Sequence, residues 1–309
     1  MTALLARLGA LFLAAGVVGQ PVSTPQSSPK PPSTSQPQAA APARPAAKPE
    51  SVRALLELAR RQADKKDARG ALETLRKARA LAPNSEEVLH AFAEASLAVR
   101  APLVALPVLE ALTRICPSVG QYHYLLGMAL MQAGDTVAAV DPLKEAGRLE
   151  PDEPPVLTAL GAALNERKLY AEAKPLLLRA LSRAPDSVEA MAALAEAEAA
   201  LGELAEAEGH AQRTLVRQAD NATASRVLGM VRMQQERYAE ARDALLKAVA
   251  SDPSSAKAHY QLSLTYRRLD DPASAEKHLA LYRQRAAEAE SRIKEVRALT
   301  GFSLGGMQR

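Results

Sequence analysis

Histidine and cysteine are the side chains with which proteins most often catalyse proton transfer or bind metals. In this sequence of 309 residues the histidines are scattered, and neither a metalloprotease (HExxH), a dithiol (CxxC) nor a phosphate-loop spacing brings such residues together. We therefore predict no catalytic residue, no metal site and no cofactor. The five histidines are His90, His123, His210, His259 and His278.

The remaining reactive or charged residues add no site. Cys116 is the only cysteine, so an intrachain disulfide is impossible, while an intermolecular one stays open. Glutamates such as Glu196 and Glu198 are expected on solvated helix faces. The net charge of +4 and the 3% aromatic content do not favour a nucleic-acid partner.

Since no catalytic or metal site is predicted, the feature most able to support a function is a repeat in the sequence. Five prolines lie 34, 34, 34 and 68 residues apart, and Ala219 stands midway in the longest interval. With proline at position 32 of a 34-residue unit, seven units fit between Val52 and Ala289. The prolines are Pro83, Pro117, Pro151, Pro185 and Pro253.

Other positions keep the same register. Position 8 is always Ala, Gly or Ser, position 7 is always large and apolar, and position 24 is leucine in six units. Position 20 is alanine in every unit: Ala71, Ala105, Ala139, Ala173, Ala207, Ala241 and Ala275.

This pattern resembles the tetratricopeptide repeat (TPR), which has the same length and a similar distribution of small residues, leucine and proline. The resemblance covers about three quarters of the chain. There are departures: position 4, often tryptophan in the family, never is here, Ala219 replaces the fifth proline, and Tyr282 stands where a small residue is usual.

The resemblance implies an all-α fold, a right-handed superhelical solenoid of about seven helical hairpins. Small residues at positions 8 and 20 let the two helices of a hairpin approach closely, and proline at position 32 ends the second helix. The residues that follow, such as Asn84, Asp186, Ser187 and Ser255, can cap the next helix. The predicted units are 52–85, 86–119, 120–153, 154–187, 188–221, 222–255 and 256–289.

The N-terminus has a different composition. Arg7 precedes an apolar run of 11 residues, Leu8 to Val18, and a small residue, Gly19, which predicts a signal peptide over 1–19. Residues 20–51 contain nine of the 21 prolines and almost no large apolar residue, which predicts a disordered linker. We expect an exported protein, periplasmic or secreted, without a membrane span after cleavage. An uncleaved N-terminal membrane tether is the alternative.

Beyond the seventh unit, apolar residues continue at helical spacing to Val296, which predicts a helix extension over 290–300 before a flexible tail, 301–309. One interpretation is a helix that caps the end of the solenoid. The alternative is a coiled-coil surface for dimerisation, so the chain is expected to be a monomer or a weak dimer.

In the family that this pattern resembles, the first helix of each repeat lines a concave groove through positions 2, 5, 9, 12 and 13. Those positions hold flexible methionines, tyrosines and basic residues, which suit an apolar segment with an acidic or carboxylate group. The predicted groove residues are Tyr124, Met128, Met131, Arg226, Met230, Met233, Lys257, Tyr260, Leu264 and Arg267.

The sequence thus favours a non-enzymatic scaffold that binds a peptide or helix of another protein, in envelope protein assembly. Position 9 carries no asparagine, so the carboxylate clamp of chaperone-tail binders is not predicted. A structural module that oligomerises through its C-terminal helix and an RNA-binding helical repeat are the alternatives.

Overall fold

A computed structural model describes residues 49–300; the predicted signal peptide, most of the predicted linker and the predicted tail lie outside these residues. The described residues form fourteen α-helices. They are α1 (Pro49–Asp64), α2 (Ala68–Leu81), α3 (Glu86–Ala98), α4 (Pro102–Ile115), α5 (Gly120–Ala133), α6 (Thr136–Leu149), α7 (Pro154–Glu166), α8 (Tyr170–Arg183), α9 (Val188–Leu201), α10 (Leu204–Arg217), α11 (Ala222–Gln234), α12 (Tyr238–Ser251), α13 (Ala256–Arg268) and α14 (Pro272–Thr300).

The chain divides after Val99 into two compact units. In the first unit α1 and α2 form a hairpin, and α3 packs against both. In the second unit, α4 to α14, each helix packs against the next one in sequence. We number the hairpins by the predicted repeats, so hairpins 3 to 7 are α5–α6, α7–α8, α9–α10, α11–α12 and α13–α14.

In the second unit the first helices of successive hairpins also pack directly against one another: α5 on α7, α7 on α9, α9 on α11 and α11 on α13. Together with the all-helical structure of residues 49–300, this confirms the predicted fold class of tetratricopeptide helical hairpins. The small residues are where the pattern requires them. All seven alanines at position 20, which are named above, are no more than 2% exposed.

Five second helices end two residues before the proline of their repeat, as the pattern requires. Helix α10 also ends there, at Arg217, although Ala219 replaces the proline. Proline is therefore not required for this helix end.

Capping differs by one residue from the prediction in one repeat, where the side chain of Ser85 rather than Asn84 accepts a hydrogen bond from the backbone of the following helix. Of the two residues predicted at the end of the fourth repeat, Ser187 caps the next helix. Position 34 directly precedes the helix, so its side chain reaches the free N–H groups of the first turn. Ser255 caps α13 as predicted.

The turn within each repeat has a feature that the sequence analysis missed. Position 15 has a positive φ in all seven repeats, between 54° and 94°. Only two of these residues, Gly134 and Gly202, are glycines; the others are Lys66, Arg100, Lys168, Glu236 and Asp270.

Both ends of the helical region differ from simple repeat boundaries. Helix α1 begins at Pro49, so residues 49–51 are helical and not part of the linker, since proline is well tolerated in the first turn of a helix. Helix α14 has 29 residues and runs past the seventh repeat without interruption.

Candidate partner-binding surface

Lys257 shows how the first helices of hairpins 4 to 7 face one common surface. Its Nζ donates to Glu166 Oε1 at 2.7 Å and to Glu196 Oε1 at 3.2 Å. The same Glu196 oxygen lies 2.7 Å from Arg226 Nη2. These four residues come from α13, α7, α9 and α11, so side chains at groove positions of four consecutive hairpins meet in one network.

The network has a buried centre, Glu196 and Arg226, and an exposed edge, where the side chains of Lys257 and Glu166 are 42% and 39% exposed. Glu196 is 7% exposed and Arg226 is 6% exposed. Burial raises the pKa of Glu196, but Arg226 and Lys257 outweigh it and hold this pKa below its usual value. Burial lowers the pKa of Lys257 while Glu196 and Glu166 raise it, and the net pKa is raised. Glu196 and Lys257 are therefore both charged at neutral pH.

This arrangement bears on the predicted capture of a partner carboxylate. Arg226 and Lys257 already hold the carboxylates of Glu196 and Glu166. A partner carboxylate would have to displace one of them, and displacing a buried partner leaves an uncompensated charge. Arg267, by contrast, is exposed at the end of α13.

The predicted apolar residues of hairpins 6 and 7 lie around this network. Met230 and Met233 are half-buried; the Met230 sulfur lies 3.3 Å from Arg226 Nη1, and the Met233 sulfur accepts a hydrogen bond from Thr265 at 3.0 Å. Leu264 is half-buried. Tyr260 is 43% exposed, and its ring centroid is 5.1 Å from that of Tyr282 on α14.

The three predicted groove residues of hairpin 3 are as inaccessible as those of hairpin 6, where Arg226 is buried and Met230 and Met233 are half-buried. Tyr124 is buried, and Met128 and Met131 are half-buried on α5. Tyr124 is therefore part of the protein interior. The two exposed residues of the predicted groove, Tyr260 and Arg267, both lie in hairpin 7.

The expectation that Glu196 and Glu198 lie on solvated faces is wrong. Glu198 is 2% exposed, and His210 Nδ1 lies 2.8 Å from its Oε2. For Glu196 the sequence did contain an indication of this, because it occupies position 9, which is a groove position in the family.

One motif that the sequence analysis missed is the spacing GxSxG at residues 301–305. In serine hydrolases this motif lies between a strand and a helix. Here the preceding residues 272–300 are a helix, so the spacing gives no support for a hydrolase.

Within residues 49–300, no three His, Cys, Asp or Glu side chains converge to hold a metal ion. None of the helices of this region is long and apolar enough to cross a membrane.

Stacked helical hairpins whose first helices form a common side-chain surface define a helical-repeat protein. Residues 159–224 and 226–296 match the sequence model of the tetratricopeptide repeat. These residues therefore belong to the tetratricopeptide repeat family, as the sequence resemblance indicated. This fold serves in general as a scaffold for protein–protein interaction.

Solved structures with the same fold agree. A tetratricopeptide repeat protein from Parabacteroides merdae ATCC 43184 is 17% identical, with a TM-score of 0.56; the match covers 82% of this chain and 99% of that one. The APC/C hetero-tetramer Cut9–Hcn1 gives a TM-score of 0.60 at 18% identity over 70% of this chain, which spans 43% of the length of the matched chain. No curated protein matches the sequence.

Proposed function

We propose that this protein is a non-enzymatic scaffold that binds a peptide or a helix of another protein on the first helices of hairpins 4 to 7. The observation that carries the proposal is the network of Lys257, Glu166, Glu196 and Arg226. It ties four consecutive first helices into one surface. The network, whose centre at Glu196 and Arg226 is buried, also holds these helices in a fixed relation, so a partner meets a preformed surface.

Chemistry around the network supports an apolar or mixed partner segment over a purely acidic one. Tyr260, Met230 and Leu264 offer apolar contact area, and Tyr260 is the most exposed of them. The charges at the centre of the surface are balanced, two carboxylates against two cations. We therefore place recognition of an acidic group on Arg267 and not on Arg226 or Lys257.

The location of the protein is also part of the proposal. The predicted signal peptide supports an exported protein, periplasmic or secreted, that organises other proteins of a bacterial envelope. Cut9–Hcn1 is a hetero-tetramer, which is an example of this fold in a complex of different proteins.

Site-specific photo-crosslinking tests the surface. A photoreactive amino acid in place of Tyr260 should form an adduct with a second protein in the native host. The matched control is the same probe in place of Val216, which is 85% exposed on α10, the second helix of hairpin 5. An equal yield of adducts from both positions, or none from position 260 in a folded variant, would contradict the proposal.

A further inference from the structure

Helix α14 has two halves with different surroundings. The first half is the second helix of hairpin 7, and its His278 and Tyr282 contact α13 through His259 and Tyr260. The second half leaves the hairpin. Between residues 287 and 298, every residue is exposed except Ile293, Val296 and Arg297.

Arg297 and Ile293 dock on the turn between α5 and α6. Arg297 Nε donates to Asp135 Oδ2 at 2.6 Å, and its Nη2 donates to Oδ1 at 3.1 Å. Val296 is fully buried. Ile293 lies over Gly134, where a Cβ atom would be 4.0 Å from Ile293 Cγ1. Helix α14 also contacts α4 and α5 in this region.

Asp135 differs from the residues at the same repeat position in hairpins 1 and 7. Asp67, Asp135 and Asp271 each cap a second helix by accepting a hydrogen bond from its first turn. Asp67 is exposed and Asp271 is half-buried, whereas Asp135 is only 1% exposed. A buried carboxylate needs a cation or several donors, and Arg297 supplies the cation.

The geometry points to a second binding site. We propose that residues 286–300, the terminal segment, are a displaceable internal ligand, and that the turn at Gly134 and Asp135 docks a partner's amphipathic helix with an apolar residue directly before an arginine. The docked terminal segment shows the form of the ligand. Its attachment through three side chains, beyond six exposed residues (287–292), lets it detach while hairpin 7 stays folded.

Charge complementarity selects the partner. Loss of Arg297 would leave the buried carboxylate of Asp135 without its cation, so an incoming helix must bring an arginine of its own. Arginine suits the site better than lysine, because its planar group forms two parallel hydrogen bonds with one carboxylate. The apolar residue before it would take the place of Val296.

The test uses the full chain and a fluorescent peptide with the sequence of residues 286–300. In the variant Val296→Asp/Arg297→Glu the terminal segment should be released. Anisotropy should then show at least tenfold tighter peptide binding than to the wild type, whose site is occupied. Adding Asp135→Asn, which keeps a good helix cap but removes the charge, should reverse the gain, and Asp67→Asn should not.

Hydrogen exchange on the same variants makes the result decisive. The released variant should lose protection at residues 293–298 and keep it in α13. If the variant releases the terminal segment but does not bind the peptide more tightly, the proposal is overturned. Unchanged protection would overturn it as well, because the terminal segment would not depend on this site. Neither outcome bears on the crosslinks from Tyr260, so the two proposals fail separately.

Discussion

Leu177 fills the space directly over Gly161. A Cβ atom on this glycine would lie 2.6 Å from Cγ of Leu177, closer than real side chains approach. The same relationship recurs in hairpin 6, where a Cβ on Gly229 would lie 2.5 Å from Cγ of Leu245. Position 8 and position 24 of one repeat are therefore a packing pair, and the small residue at position 8 makes room for the leucine.

Three glycines in similar hairpins should respond differently to alanine. Gly161→Ala should lower the free energy of unfolding by about 1–3 kcal/mol, since Leu177 must move. Gly209→Ala should raise it by up to about 1 kcal/mol, because this helical glycine has nothing within 4 Å of its Cβ position.

Gly202→Ala is the matched control for backbone conformation. Its Cβ would also meet nothing within 4 Å, but its φ is 85°. We expect a loss of about 1 kcal/mol from the backbone alone. Urea denaturation of the three variants checks the order, and a stabilising Gly161→Ala would contradict the packing pair.

The repeat register made most of the fold predictable. Gly161 and Leu177 belong to columns whose residue types are restricted because they touch within a single hairpin, and such local contacts leave a periodic pattern. The positive φ at Lys168 and Glu236 left no such pattern, because five non-glycine residues adopt it at some conformational cost.

Long-range side-chain contacts could not be predicted in the same way. Lys257 and Glu166 are 91 residues apart, and Arg297 and Asp135 are 162 apart. Whether two such residues meet depends on the curvature accumulated over several hairpins, which a repeat length does not specify. The groove columns named Arg226 and Lys257, but gave no sign that carboxylates of the same chain hold them.

Loss of the Glu196 carboxylate should lower the free energy of unfolding, because Arg226 is buried beside it. Glu196→Gln leaves Arg226 buried beside a neutral group, and we expect a loss of about 3 kcal/mol. Glu166→Gln is the control, because this carboxylate is 39% exposed and should lose less than about 1 kcal/mol. The double variant Glu196→Gln/Arg226→Gln should recover part of the loss. Similar effects of the two single variants in chemical denaturation would contradict this account.

Glu94 should make the first unit less stable as pH rises. Burial raises its pKa to about 7 from an ordinary value of 4.5. His90 lies 3.5 Å away, but burial lowers the pKa of this imidazole, which is uncharged near pH 7 and provides no counter-charge. Between pH 4.5 and 7 Glu94 therefore binds more protons in the folded chain than in the unfolded chain, while His90 has the opposite, smaller window below pH 6.5. Stability should fall over this window by at most about 3 kcal/mol.

Glu94→Gln should abolish this slope and stabilise the first unit at pH 8. Hydrogen exchange of α3 as a function of pH measures it without interference from the second unit. Glu73→Gln, a change at an exposed residue of α2, should retain the slope. A flat profile in the wild type would show that Glu94 stays ionised throughout.

His278 should give the second unit the opposite dependence. His259 Nε2 lies 3.3 Å from the carbonyl of Pro253, to which it can only donate. In a neutral ring its Nδ1 is then an acceptor, and His278 Nδ1 donates to it across 3.0 Å. Burial, together with His259 and Lys277, lowers the pKa of His278 below its ordinary 6.5. Below pH 6.5 the unfolded chain therefore takes up a proton that the folded chain resists, so the contact between α13 and α14 should weaken as pH falls.

His278→Phe should remove this dependence while keeping the stacking on Tyr266, and His123→Gln should leave it in place. Exchange protection in α13 and the first half of α14 provides the measurement. Protection that is independent of pH between 5 and 7 would mean that this histidine pair accepts a proton without loss of stability.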